Sequence, residues 1–380
     1  MITRTVQSDN NKTYHSQRGY TLVEILVVML ISFIVLGGVY RAITRENIEL
    51  DKEEIILDMQ LNARAALDII AADIRKAGFL GCAGNLAADT TSNSGTTDPM
   101  QANTSAGVIN TNLPILDALK ADPGGVNYLG APLAYVNNAP AGHATYQQNT
   151  DVISVRYLSG DEPLQTAMAA ATTDPIDLDT NDFSRGDILY ITDCEFYSLF
   201  QKTNCSTTTD PTHATTDSCG SEGLPNPSNT IVNLGHVYGL NARVYNLVIN
   251  TYFIQNNNSF AISQNNTNTD IVTNIEDLQF QYKWDQNGNN DLNDDAWIDD
   301  PVAAGVDASD IGEIKMYVLA ISQQVFTYTN TNTYDYPNSP YCSAAGAANP
   351  TLSCRGTTPP NDNFYRYLAS AVVTLRNSGL

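Results

Sequence analysis

The sequence predicts an α+β fold: one long N-terminal helix packed on an antiparallel, β-rich head with long loops. Three observations carry this expectation. An apolar run in RGYTLVEILVVMLISFIVLGGVYR (Arg18 to Arg41) continues into a stripe of apolar residues at helical spacing. Beyond Gly84 the pattern changes to short β-rich runs set apart by Gly, Pro, Asn and Ser clusters. Neither a Gly-rich strand-to-helix turn nor regular βα alternation occurs, so an antiparallel head is preferred over a doubly wound sheet.

The helix is predicted from Tyr20 to Ala77. From Tyr20 to Tyr40 it is apolar, and about 21 residues at 1.5 Å rise span roughly 30 Å, a bilayer core. A secretory signal has a shorter apolar region followed by a small-residue cleavage site; here no such site follows and the helical pattern continues, so the segment is expected to span and to be retained. Arg4, Lys12 and Arg18 precede it and many acids follow it, which places the N-terminus in the cytoplasm and the bulk outside. Glu24 interrupts the run, and a charge there costs about 2.5 to 3.5 kcal/mol in bilayer. Further on, Ile56, Met59, Ala63, Ala66, Leu67, Ile70, Ile74 and Ala77 recur at steps of three and four. Asp58, Arg64, Asp68, Asp73 and Arg75 are expected off that stripe. Gly78 suits the position just past the helix end, with Arg75 and Lys76 in the last turn. The repeat sustains no clean heptads, so the stripe is expected to pack on the head rather than form a coiled coil.

The head is predicted to contain strands in DVISVRYL, DILYITDC, ARVYNLVINTYFIQ, IEDLQFQYKW, EIKMYVLAIS and FYRYLASAVVTL. Residues 84–148 and 202–230 are Thr, Asn, Ala and Pro rich and are expected to form surface loops. The 380 residues carry a formal net charge of −22. So acidic a surface repels phosphate backbones, which argues against direct nucleic-acid binding and for cations or basic patches on protein partners.

Six cysteines occur without C-x-x-C or Cys/His ligand spacing, which points to disulfides in an oxidising compartment rather than zinc. Cys205 and Cys219 bracket one low-complexity loop, and Cys342 and Cys354 bracket another. Cys82 and Cys194 would then pair over long range, although other connectivities stay open. Buried free thiols are the bland alternative, at odds with such polar loops.

One stretch has the makings of a cation site. In DQNGNNDLNDDAWIDD, Asp285, Asn287, Asn289, Asp291 and Asn293 alternate side-chain oxygens, as Ca²⁺ requires. The EF-hand pattern is broken at Asn290, where glycine is wanted, and at Ala296, where a bidentate Glu is wanted. Asp294, Asp295, Asp299 and Asp300 are available as substitutes; a set of Asp285, Asn287, Asn289, Asp291 and Asp295 would make a structural clip. The competing expectation is a solvated acidic loop, and no other cofactor is implied. His15, His143, His213 and His236 belong to no catalytic motif, and neither G-x-S-x-G nor H-E-x-x-H occurs, so no enzymatic activity is expected.

Gly19 followed by Tyr20, Thr21, Leu22, Val23 and Glu24, then an unbroken apolar run, resembles the class III signal of type IV prepilins. In that family a peptidase cuts after the glycine and N-methylates the new first residue, usually Phe and here Tyr20. The family's glutamate at the fifth mature place falls on Glu24. NARAALDIIAADIRKAGFLGC (Asn62 to Cys82) is similar to the end of the long helix in PilW-type minor pilins. NTDVISVRYLSG, GDILYITDC, IEDLQFQYKWDQNGNND and YRYLASAVVTLRNSGL are similar to their strands.

The resemblance implies a cleaved leader 1–19, a transmembrane or filament-core helix 20–40, its amphipathic continuation 41–78 and a head 79–380. It implies a pilin-like minor pilin that primes pilus assembly at or near the tip. Its partners would be other minor pilins, the major pilin, a prepilin peptidase and an inner-membrane assembly platform. The head would be periplasmic before assembly and at the cell surface after it. Two alternatives stand beside this: a GspJ-like type II secretion pseudopilin, whose heads are generally smaller, and a membrane-anchored adhesin. Cleavage at Gly19 would create an amine on Tyr20, and pairing with it would make Glu24 a register device.

Overall fold

The computed structural model describes residues 20–79, 81, 133–139, 146–170, 176–179, 182–194, 196–216, 219, 229, 234, 236–264, 267–289, 291–306, 310–323 and 364–375. The chain divides into two compact units, 1–55 and 56–380.

Helix α1 runs from Leu22 to Ile74. Its start is capped by Thr21, whose Oγ1 accepts the Glu24 backbone N–H at 3.3 Å. In the first unit the apolar side chains of this helix are exposed, and by length and composition it is the one described helix able to cross a membrane. Thr44 fits this apolar stretch because its hydroxyl donates back to the Tyr40 carbonyl at 2.8 Å.

In the second unit the helix buries Met59, Ala63, Ala66, Leu67, Ile70 and Ile74, as the periodicity predicts, but Ile56, expected on the same stripe, is exposed where the helix has not yet reached the head's core. Asp73 departs from the expectation: it is buried, 7% exposed, rather than off the stripe. The helix ends at Ile74, short of the expected Ala77, so Arg75 and Lys76 fall in the turn beyond it, while Gly78 takes the expected left-handed conformation at φ 72°. The chain then joins a strand edge. Gly78 N–H donates to the Arg156 carbonyl at 3.0 Å, and Leu158 N–H donates to Phe79 at 2.9 Å.

The strands are β1 (Leu133–Val136), β2 (Val152–Pro163), β3 (Ile188–Thr192), β4 (Tyr197–Gln201), β5 (Arg243–Ile254), β6 (Ser259–Gln264), β7 (Thr267–Thr273), β8 (Ile275–Trp284), β9 (Ile311–Ile321) and β10 (Arg366–Thr374). A seven-stranded sheet orders β1-β2-β5-β3-β4, with β6 also pairing β5 and β7 pairing β6. A three-stranded sheet orders β10-β9-β8. All pairings are antiparallel. The head is thus the antiparallel β-rich structure expected.

The six predicted runs correspond to β2, β3, β5, β8, β9 and β10. Strand β1 lies inside the stretch 84–148 expected to be loop; at four residues it has too little alternation to stand out. Strands β6 and β7 were not foreseen either. β7, with the sequence TNTDIVT, is exposed on both faces at most described positions, so no burial pattern is written into it. Strand β4 is a five-residue edge strand.

The central strand of the small sheet shows why its sequence is so apolar. Ile314, Met316, Val318 and Ala320 of β9 are fully buried on one face. The large sheet buries Leu189, Ile191, Phe200 and Val244 beneath Leu164, Met168, Ile176, Leu178 and Phe183 from the β2–β3 connection. Among the described residues, backbone bonds also tie the two sheets and their connections together. Asp151 N–H donates to Leu278 at 2.8 Å, Ile275 N–H to Asn258 at 3.0 Å, and Ile321 N–H to Asn274 at 2.9 Å.

Candidate functional site

The N-terminal site begins at the edge of the described residues. Tyr20 is exposed, and Glu24 lies in the first turn of α1, where the positive end of the helix dipole favours a carboxylate. Among the described residues no side-chain bond or ion pair engages the Glu24 carboxylate; Thr21 caps only its backbone N–H. Gly19 and the leader lie outside the described residues.

The same helix ends in a polar knot that sequence reasoning missed. The Asp73 carboxylate accepts from Tyr252 Oη at 2.6 Å, Asn250 Nδ2 at 2.5 Å, Tyr157 Oη at 3.1 Å and Lys76 Nζ at 3.0 Å. Burial pushes its carboxyl upward, but the bonds from Tyr252, Asn250 and Lys76 outweigh this and hold it below the ordinary carboxylate range. Burial and the facing Asp73 push the Tyr252 and Tyr157 hydroxyls up. Asp73 thus fixes the helix end to β2 and β5 through a charge-assisted network. The only signal was an Asp one step from an apolar stripe.

Cys205 and Cys219 are disulfide-bonded, with Cα atoms 5.0 Å apart, as the bracketed loop predicted. Lys202, fully buried, anchors that loop by donating to the Phe183 carbonyl at 2.8 Å and the Thr208 carbonyl at 2.7 Å. Cys194 is also disulfide-bonded. Cys82, Cys342 and Cys354 lie outside the described residues. No described cysteine is free.

Beside Cys194, His236 meets a partner no motif announced. Its Nε2 lies 3.0 Å from Asp193 Oδ2, and its ring stacks on Phe196 at 4.2 Å. Asp193 also accepts the Phe196 N–H at 2.7 Å, closing the β3–β4 turn. This is a structural clasp, with no nucleophile placed against the imidazole by any described bond.

The Asp/Asn loop takes up many of its own acceptors, although the buried Asp295 Oδ2 accepts no hydrogen bond. Asp285 Oδ1 accepts the N–H groups of Gly288 at 2.7 Å and Asn289 at 3.1 Å. Asn287, Asn289 and Asp291 accept the N–H groups two residues on. Asp294 receives the amides of Asn287 and Asn289, and Asp295 accepts from Gln286 N–H at 3.1 Å. Among the described residues no group of three His, Cys, Asp or Glu side chains is arranged to hold a metal ion. Asn290 lies outside the described residues.

Two further buried carboxyls hold the small sheet. Glu276 forms a two-pronged pair with Arg366, at 2.6 and 2.9 Å, tying β8 to β10 across β9. Asp151 accepts N–H groups from Asn138 and Phe280, both at 2.8 Å. Complete burial nevertheless pushes its carboxyl well above the ordinary range, and Asp277 and Asp299 push in the same direction.

Residues 14–40 match the prokaryotic N-terminal methylation motif, a range that includes Gly19, Tyr20 and Glu24. Residues 237–377, from β5 to β10, match the family described as Type IV Pilus-assembly protein W. Among solved structures, a type IV-like pilin from Thermus thermophilus is similar at 13% identity over 36% of this chain and 70% of that one, with a TM-score of 0.20. No curated protein matches the chain. Such pilin families are structural rather than enzymatic. The chain thus joins a match to the prokaryotic N-terminal methylation motif at one end to a match with the Type IV Pilus-assembly protein W family at the other.

Proposed function

We propose that this chain is a minor pilin that primes type IV pilus assembly and sits at or near the filament tip with other minor pilins. The observation that carries the reading is Glu24: a lone carboxylate at the start of an exposed apolar helix, within a prepilin methylation motif. A helix of this kind needs a bilayer or a bundle of like helices around it, and its one charge needs a positive partner there. Cleavage after Gly19 supplies an amine on Tyr20, its own or a neighbour's. Before assembly the head faces the periplasm, with the leader on the side of the peptidase and the assembly platform.

Deleting the gene tests this. Loss of surface pili and of twitching with normal protein secretion is the expected result. Normal pili with a secretion defect would instead favour the pseudopilin role. The Asp285 to Asp300 loop enters the proposal as a calcium clip only if the cation can displace the N–H groups its oxygens already accept. A rise in melting temperature on adding Ca²⁺ to the full chain would support the clip; no rise would remove it.

A further inference from the structure

Lys283 on β8 is an anomaly in the head: it is 7% exposed, yet among the described residues neither it nor Lys315 on β9 forms an ion pair, although the register sets Glu313 opposite Lys283. Lysine is almost never buried unless paired, because an isolated ammonium loses its hydration without recompense. What Lys283 has instead is Trp297, whose ring centre lies 5.3 Å from its Nζ. Lys315 Nζ lies 6.0 Å from the same ring and 5.0 Å from Tyr317. An indole face attracts cations but leaves their N–H donors unfilled. Gln281 fixes the floor: it takes the Tyr317 hydroxyl at 2.8 Å and donates to Asp299 at 2.8 Å, so Asp299 is already engaged.

Trp297 and Lys315 are half-buried, and Val372 of β10, opposite Lys315 in the register, is exposed. Two ammonium groups near one aromatic ring, with donors to spare, suit one carboxylate. A polyanion is disfavoured: the acids of the 285–300 loop adjoin Trp297 in the chain, and the net charge is −22.

We propose that Lys283, Lys315 and Trp297 form a docking site for a single Asp or Glu side chain of a neighbouring pilin head. This rests on the minor-pilin reading above and adds to it a surface and a partner chemistry. The burial of Lys283 is then completed in the filament, where the incoming carboxylate replaces lost hydration with charge-assisted bonds.

The test uses the full chain in cells. A photoreactive amino acid replaces Val372, and the filaments are irradiated, sheared and analysed by mass spectrometry. The expected product joins this chain to a different pilin, in a peptide containing Asp or Glu. Lys315→Glu should lower incorporation into sheared filaments about tenfold at unchanged membrane level and melting temperature. Replacing the partner's cross-linked acid with Lys should restore it. If Lys315→Glu fails to fold, Lys315→Gln is scored in its place. Cross-links only to a second copy of this chain or to nucleic acid, wild-type incorporation of the charge variant, or no rescue by the swapped charge would each overturn the docking site. Absence of the wild-type chain from filaments would contradict the minor-pilin reading itself.

Discussion

Glu24 and Asp73 are carboxylates of the same helix, and they solve the problem of burying a charge in opposite ways. Asp73 is satisfied within the chain: two tyrosine hydroxyls, an asparagine amide and a lysine converge on it. Glu24 has no such shell among the described residues of its own unit, and its surroundings are exposed apolar side chains. An acid completed internally is a stability device. On the proposed reading, one left incomplete in an apolar setting is completed by another chain. The difference teaches which acidic residue to disturb when asking about folding and which when asking about assembly.

Glu24→Ala should separate the two most sharply. Incorporation into filaments should fall about tenfold or more, a loss matching the cost of one mispaired charge, while head melting is unchanged. Equal incorporation of the variant, measured by immunoblot of sheared filaments, would dissolve the contrast. Asp73→Leu should do the reverse at the level of the head. It strands Tyr157, Tyr252 and Asn250 and should cost about 3 to 5 kcal/mol in chemical denaturation. Tyr252→Phe removes one donor and should cost about 1.5 kcal/mol. A similar distinction applies to Arg366. Arg366→Met leaves Glu276 buried alone and should cost about 3 to 5 kcal/mol, most of it recovered when Glu276→Leu is added, because a paired burial is worth little net.

A smaller effect appears in the pH dependence, and its sign differs between two acids. The Asp73 carboxyl lies below its unfolded value, so its contribution is present above about pH 4 and is lost as pH falls through the folded value. The Asp151 carboxyl lies above its unfolded value, so the folded state holds its proton longer, and stability declines as pH rises from about 4 towards the folded value. Melting curves should therefore show a shallower acid-side loss in Asp73→Asn and a shallower decline on the rising side in Asp151→Asn. Unchanged slopes would refute the assignment. Smallest of all, Arg243→Ala should leave melting unchanged, since its pair with Asp161 is exposed on both sides.

Much of this was legible in the sequence where structure is local. The helix, its apolar stripe and its Gly78 end follow from spacing alone, and six strand runs fall where their β-branched and aromatic residues concentrate. Cys205 and Cys219 were legible because they bracket one short loop. Asp73 was not, because its partners Tyr157, Asn250 and Tyr252 come from strands distant in sequence, and no periodicity encodes what will face a helix. His236 was hidden for the same reason: Asp193 reaches it only once the β3–β4 turn is folded. The Lys283–Trp297–Lys315 cluster joins β8, β9 and the loop between them, so residue types alone gave no hint of it. The 285–300 loop was legible as rich in acceptors, but not that backbone N–H groups within it take up those acceptors.

The central claim is that the apolar helix is processed for a filament. N-terminal mass spectrometry of the chain purified from cell membranes tests it most directly. A chain beginning at Tyr20 with a methylated amine is the predicted result. An intact leader, or a mature end elsewhere, would contradict it.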